Sequence, residues 1–383
     1  MRLFGMNKVG SAVLPLHEGH APPWLFQRMK SLGAEIVAVV VNEFGRDELL
    51  RRLSNPFWFQ SLGCVLGYDW HSSGVTTVLT AVLREVVDPS AAGIAVCGGK
   101  GRRSTLSPNE IHQYGSFFHL SDQQIQQLEY ASRLAAKVDN AAIQAGYPLY
   151  HHSFIMTVDG KWSIVQQGMS ATDRTARRYH WLSEHVRSFV NEPHEAIVGN
   201  HVRQMVLDMT SRESEECRSI SLDLVKEGVS RVKDDLSYLL PHHQRALTEW
   251  MPEFKDRTHA QQILSMPRKM NWDAVRRAYE LQPGNYEELL GMKGIGPGAV
   301  RALALISQII YGAKTSWRDP VKYSFAVGGK DGVPFPVDRR SYDETIQFMQ
   351  SLIQHAKLEG GDKYRALEKL KRLTTVRLLS QVS

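Results

Sequence analysis

The chain has 383 residues, 43% of them hydrophobic and 22% charged, with a formal charge of +6. That balance suits folded domains with cores of their own and excludes a fibrous or low-complexity polymer. The longest aliphatic run, Ile36 to Val41, is far short of a bilayer span, and the opening MRLFGMNKVG lacks the apolar stretch of a secretory signal, so the chain is expected in the cytosol. Three scattered cysteines, Cys64, Cys97 and Cys217, without CxxC spacing, exclude a disulfide framework, a zinc ribbon or an iron-sulfur site.

In chain order, PPWLFQRMKSLG has helical spacing ended by Gly33, EIVAVVV is a β-branched run fit for a buried strand, and DELLRRL returns to helix. GIAVCGG reads as a second buried strand entering a glycine turn. SDQQIQQLEYASRLAAKVDNAAIQAG is a helix with Ser121 as its N-cap and Gly146 as its stop. HHSFIMTVDGKWSIVQQG predicts a hairpin around Asp159-Gly160. From about residue 172 the pattern turns helical, which puts Arg174, Arg177 and Arg178 on a helix with Tyr179 and His180. Residues 211–235 are polar with sparse apolar spacing and read as a connector, an exposed amphipathic helix being the alternative. Several short helices follow, and KYRALEKLKRLTTVRLL closes the chain as a basic amphipathic helix.

The expectation is therefore a mixed α/β N-terminal domain over residues 1–205, a helical connector over 206–240, and an all-α C-terminal domain over 241–383. Charge follows that division. Residues 241–383 hold 22 Lys+Arg against 15 Asp+Glu, leaving 24 against 25 for residues 1–240. A basic module beside a near-neutral one points to a polyanionic partner.

The sharpest local signal is NYEELLGMKGIGPGAVRALALISQIIYG, about residues 285–312. A helix through Tyr286 to Leu290 should end in a Gly-Ile-Gly turn, and Pro297 suits the first turn of a second helix. Glycines at 294 and 296 let the backbone come close to a phosphate, and the second helix adds its positive N-terminal end. Such donors hold a backbone without choosing bases. The stretch resembles the helix-hairpin-helix of DNA repair glycosylases, nucleases and ligases. That resemblance implies DNA contacts at Lys293, Gly294, Ile295, Gly296 and Gly298, and a monovalent cation at the hairpin. Glycosylases of that superfamily carry a Pro-Val-Asp after the second helix, which matches Pro336, Val337 and Asp338. The chain departs from them in its longer separation from Gly296 to Asp338, in Gly298 where the lyase-type members have lysine, and in lacking the cluster-binding cysteines.

The N-terminal part is rich in histidine: eleven of fifteen lie at or before position 201. His17 and His20 flank Glu18, while Asp69 and His71 are two apart and face one side of an extended segment. Histidine with carboxylate suits a divalent ion, Mn or Mg, that activates water on a phosphodiester. The expected metal set is His17, His20, Asp69 and His71. Ser72, Ser73 and Gly74, before a helix beginning near Gly74, offer an anion site instead. CGGKGRRST adds a basic glycine turn with Lys100, Arg102 and Arg103, which is not a Walker A loop because the GxxxxGK[ST] spacing is missing.

LPLHEGHAPPWLFQRM, RLSNPFWFQSLGCVLGYDWHSSGVTTVL, GGKGRRSTLSP and IVQQGMSATDRTARRYHW make the whole chain look like a member of an uncharacterised prokaryotic family, domain of unknown function 763. The resemblance implies an N-terminal domain joined to a helix-hairpin-helix and brings no activity with it. The residues themselves point to DNA processing, in first place by a metal-dependent nuclease. His17, Asp69 and His71 would hold metal or act as base, and Lys100 or Arg102 would stabilise charge on the phosphate. Arg102, Arg103, Arg177, Arg178, Arg339 and Arg340 are the expected backbone contacts beside the hairpin. A base-excision glycosylase using Asp338 and a DNA-binding protein without catalysis are the alternatives. A homodimer is left open by the sequence.

Overall fold

A computed structural model of the protein describes residues 21–68, 73–172, 174–199, 202–239, 270–322 and 339–356, with residues 267, 363, 366–368 and 370. Four helices open the described chain: α1 (Pro23–Phe44), α2 (Arg46–Ser54), α3 (Pro56–Val65) and α4 (Gly74–Val86). The short α5 (Pro89–Ala92) leads into β1 (Ile94–Lys100), then α6 (Ser107–Phe117) and α7 (Asp122–Lys137). The strands β2 (Ile143–Gln144), β3 (Leu149–Thr157), β4 (Trp162–Ser170), β5 (Thr175–Leu182), β6 (Ala196–Gly199) and β7 (Leu207–Asp208) follow. The rest is helical: α8 (Glu215–Glu227), α9 (Val229–Leu239), α10 (Trp272–Leu281), α11 (Tyr286–Gly291), α12 (Pro297–Ile309) and α13 (Arg339–His355).

The main sheet is antiparallel throughout, in the order β1-β3-β4-β5-β6, with β2 and β7 forming a separate pair. Both of its faces are covered. Ala95, Cys97, Phe154, Met156, Ile164, Tyr179 and Trp181 point into one core, shared with α7, α8, α9, α10 and α12. Ile94, Val96, Ile155, Val165 and Leu182 point into the other, shared with α1 to α4 and with Met349, Leu352 and Ile353 of α13. The period-two alternation of a strand thus separates two cores rather than a core and solvent. Hydrophobic packing does not divide at residue 205 or 240, because the first core joins residues from Ala95 to Val321.

Several local expectations hold. The hairpin turns at Asp159-Gly160, with Gly160 at φ 81, and Ser121 caps α7 in a full capping box with Gln124. Others change. EIVAVVV lies inside α1, where Met29, Gly33, Ile36, Val37 and Val40 form one buried face; tertiary packing overrides the strand preference of its valines. Residues 175–182 form a fully buried strand and not a helix. Residues 211–235 are no free connector, since α8 and α9 bury Cys217, Leu224, Val225 and Val232 in the first core. The helix ending expected at Gly146 comes earlier, where α7 passes into a π turn over Val138–Ala142. No helix among the described residues is long and apolar enough to cross a membrane.

Candidate functional site

The basic glycine turn and the helical hairpin, almost 200 residues apart in the chain, line a single cleft of about 610 Å³. Ser104 and Thr105 come from the turn, Gly291, Lys293, Gly296 and Pro297 from the hairpin, and Ser132, Lys137, Asn140 and His152 from between them.

The turn begins where β1 stops. Gly98, at φ 82, has no room for a Cβ, which would lie 2.3 Å from the His152 carbonyl oxygen. Its amide donates to Glu110 Oε2 at 2.6 Å, and its carbonyl accepts from Arg84 at 3.1 Å. Arg84 and Glu110 are themselves paired through two hydrogen bonds of 2.9 and 2.7 Å. The Gly98 amide is therefore used inside the protein and is not offered to a ligand. What the turn presents outward is charge: Lys100, Arg102 and Arg103 are all exposed.

At the hairpin, side chains hold the carbonyls. The Lys137 ammonium donates to the carbonyls of Met292 at 3.2 Å and Ile295 at 2.6 Å, Arg277 to Lys293 at 3.0 Å, and Gln144 to Pro297 at 2.8 Å. Burial lowers the Lys137 pKa. The cation in contact with these carbonyls is thus a lysine of the chain itself. Gly294 takes φ 94, and a Cβ there would meet Asn271 at 2.7 Å and Ala274 at 2.8 Å. Gly296 is extended and has open space around it. With Pro297 as the first helical residue, the first-turn amides of α12 have no acceptor within the helix. Ile295 is buried and acts as an anchor, while Lys293 is exposed and Gly298 half-buried.

Between the two rims runs a buried polar chain. Ser132 Oγ lies 2.8 Å from His152 Nε2, and His152 Nδ1 lies 2.8 Å from Gln166 Oε1. Gln166 Nε2 then donates to Asp139 Oδ2 at 2.6 Å. Asp139 also accepts from Trp181 Nε1 at 3.0 Å and from His194 Nε2 at 2.5 Å. The π turn after α7 carries Asp139 inward to this point, a role such turns often serve at functional sites. Burial raises the Asp139 pKa against the pull of His194, and burial lowers His152 to about 4, so its imidazole is neutral at ordinary pH. Tyr130, partly exposed and edge-on to Phe189, stands on the same wall.

Two expected backbone contacts are corrected. Arg177 is fully buried and pairs with Asp319 at 2.6 Å, both side chains being inaccessible. Arg178 is 3% exposed and donates to Gln60 on the other face of the sheet. A phosphate backbone cannot reach either guanidinium. Thr76, in the first turn of α4, spends its hydroxyl on Gln167. Arg339 and Arg340 open α13, and their side chains are outside the described residues, as are His17, His20, Asp69, His71 and Asp338. Among the described residues no group of three or more His, Cys, Asp or Glu is placed to hold a metal ion. Sequence reasoning passed over Ser132, Asp139 and His152. The pair His151-His152 at the start of a predicted strand was the available signal, since one of two adjacent strand residues must face each side.

These elements define a mixed helix-and-sheet protein built on a five-stranded antiparallel sheet, with a cleft at the end of β1. Residues 10–337 match the family described as Protein of unknown function (DUF763), and the chain belongs to that family. No curated protein and no solved structure matches the chain.

Proposed function

We propose that the protein binds DNA, holding the phosphate backbone across the cleft between the turn at 98–108 and the hairpin at 291–298. The observation that carries this reading is that these two segments, each suited by composition to phosphate, line the same cleft. Exposed cations lie on the segments that line it: Arg133 of α7 and Lys293 are in the cleft wall itself, and Lys100, Arg102 and Arg103 are on the turn that contributes Ser104 and Thr105. The open side of Gly296 and the first-turn amides of α12, which have no acceptor within the helix, suit close approach by a phosphate oxygen. Contacts of this kind read the backbone, so affinity should be nearly independent of sequence. Strand cleavage by a Mn or Mg ion and base excision by Asp338 rest on residues outside the described set, and the binding step stands apart from both.

Fluorescence anisotropy of labelled duplex DNA tests the proposal. If these five cations each meet one phosphate, affinity falls by roughly 500-fold between about 50 and 200 mM salt. Lys293→Glu and the double change Arg102→Glu, Arg103→Glu each lower both the affinity and the salt slope. Salt-independent binding, or variants that bind like the parent protein, would sink the proposal.

A further inference from the structure

We infer that Ser132 is a nucleophile, activated by His152, for a phosphodiester seated in the cleft. The first step of the argument is the direction of the hydrogen-bond chain. Trp181 has an indole N–H that only donates, so Asp139 Oδ2, 3.0 Å away, accepts. The Gln166 group 2.6 Å from that same oxygen is then the amide nitrogen, which turns its oxygen toward His152. His152 Nδ1, 2.8 Å from an acceptor, must carry the ring proton. The lone pair of the imidazole is left on Nε2, facing the Ser132 hydroxyl at 2.8 Å. A hydroxyl donating to a neutral, oriented imidazole is the arrangement that makes serine nucleophilic.

Placement agrees with chemistry. Ser132 and His152 both line the cleft, and Arg133 and Lys137 follow Ser132 on the same wall. Burial keeps His152 unprotonated, with a pKa of about 4, so the base is available in neutral solution. Gln166 is a positioning residue: it fixes the tautomer and ring orientation and passes the influence of Asp139 to the imidazole.

The step balances without a redox partner. The Ser132 proton moves to His152 Nε2 as the Oγ–P bond forms and the bond from phosphorus to one ester oxygen breaks. That oxygen takes the proton from Nε2 and leaves as an alcohol, with a phosphoserine diester remaining. Water then gives a proton to Nε2 and attacks phosphorus, the Oγ–P bond breaks, and Ser132 recovers its hydrogen. The sum is one phosphodiester and one water converted to a phosphomonoester and an alcohol.

The choice of phosphodiester rests on the proposed DNA binding, whereas the nucleophile rests on the hydrogen-bond chain alone. An alkyl fluorophosphonate separates them, because its P–F bond reacts with an activated serine without any need for DNA. The full-length protein is treated with this reagent and the adduct located by peptide mass mapping, beside Ser132→Ala and His152→Gln and with melting curves to verify folding. The expected result is an adduct on Ser132, absent in Ser132→Ala, and formed at least roughly 100-fold more slowly in His152→Gln. A folded parent protein left unmodified at Ser132, or labelled equally fast without His152, overturns the inference and makes the Ser132–His152 bond a structural contact only. Absence of an adduct together with salt-sensitive DNA binding contradicts the nucleophile and leaves the binding proposal standing. An adduct without DNA binding contradicts the phosphodiester substrate.

Discussion

His151 and His152 are neighbours on β3 but face opposite layers, His151 toward Thr80 on α4 and His152 toward Ser132 on α7. Burial lowers them to about 3 and about 4, and lowers His180 well below its ordinary value. In the unfolded chain all three take up protons as pH falls through about 6.5. The folded chain does not, so the stability they contribute is complete above about pH 6.5 and is lost as pH falls toward their folded values. Each contributes a slope of about 1.4 kcal/mol per pH unit within that window. Asp139 and Asp208, raised by burial, act in the opposite sense but are fewer. Urea unfolding should therefore give a free energy that falls as pH is lowered from about 6.5 to about 5; a constant or rising value would contradict the assignment of these imidazoles as neutral. At this scale the sequence is readable only in part. Lys100, Arg102, Arg103 and Lys293 were recognisable because glycines beside them mark exposed turns. Arg177 was not, because its partner Asp319 lies 142 residues away and nothing local separates a buried arginine from a solvated one.

Met292–Gly296 joins α11 (Tyr286–Gly291) to α12 (Pro297–Ile309). Gly-Ile-Gly-Pro encodes a stop, a turn and a restart through backbone preferences that need no distant partner. Its two glycines have different reasons for being there, and this separates fold from binding. Gly294→Ala places a Cβ at positive φ against Asn271 and Ala274, and should cost about 1–3 kcal/mol in a denaturant melt. Gly296→Ala meets nothing within 4 Å and an extended backbone, so the protein should melt like the parent while binding duplex DNA more weakly. Unchanged anisotropy in the second variant would mean that the hairpin backbone does not touch DNA. The elements misread from sequence share a cause. EIVAVVV has the composition of a strand, and β5, with Arg177, Arg178 and His180, has the polarity of a surface helix. In both, composition was the louder local signal: the valines outweighed the helical spacing of Met29, Gly33, Ile36, Val37 and Val40, and a strand covered on both faces carries no polar-apolar alternation.

For the whole molecule, the expectation of mixed helix and sheet holds, while strands run on past residue 172, where a helical pattern was expected, as β5, β6 and β7. The C-terminal helices α10 to α12 join the same core as β1 and β3, and that brings the hairpin up to the turn after β1. No local pattern encodes that meeting, because it depends on a sheet with one face covered by α1 to α4 together with α13 and the other by α7 to α12. The central claim is that this meeting makes a groove for a polynucleotide backbone. Hydrogen–deuterium exchange of the full-length protein with and without a mixed-sequence duplex tests it most directly. Slowed exchange confined to amides of residues 98–108 and 292–299 is the predicted result; protection at other segments, or none with DNA in excess, would contradict it.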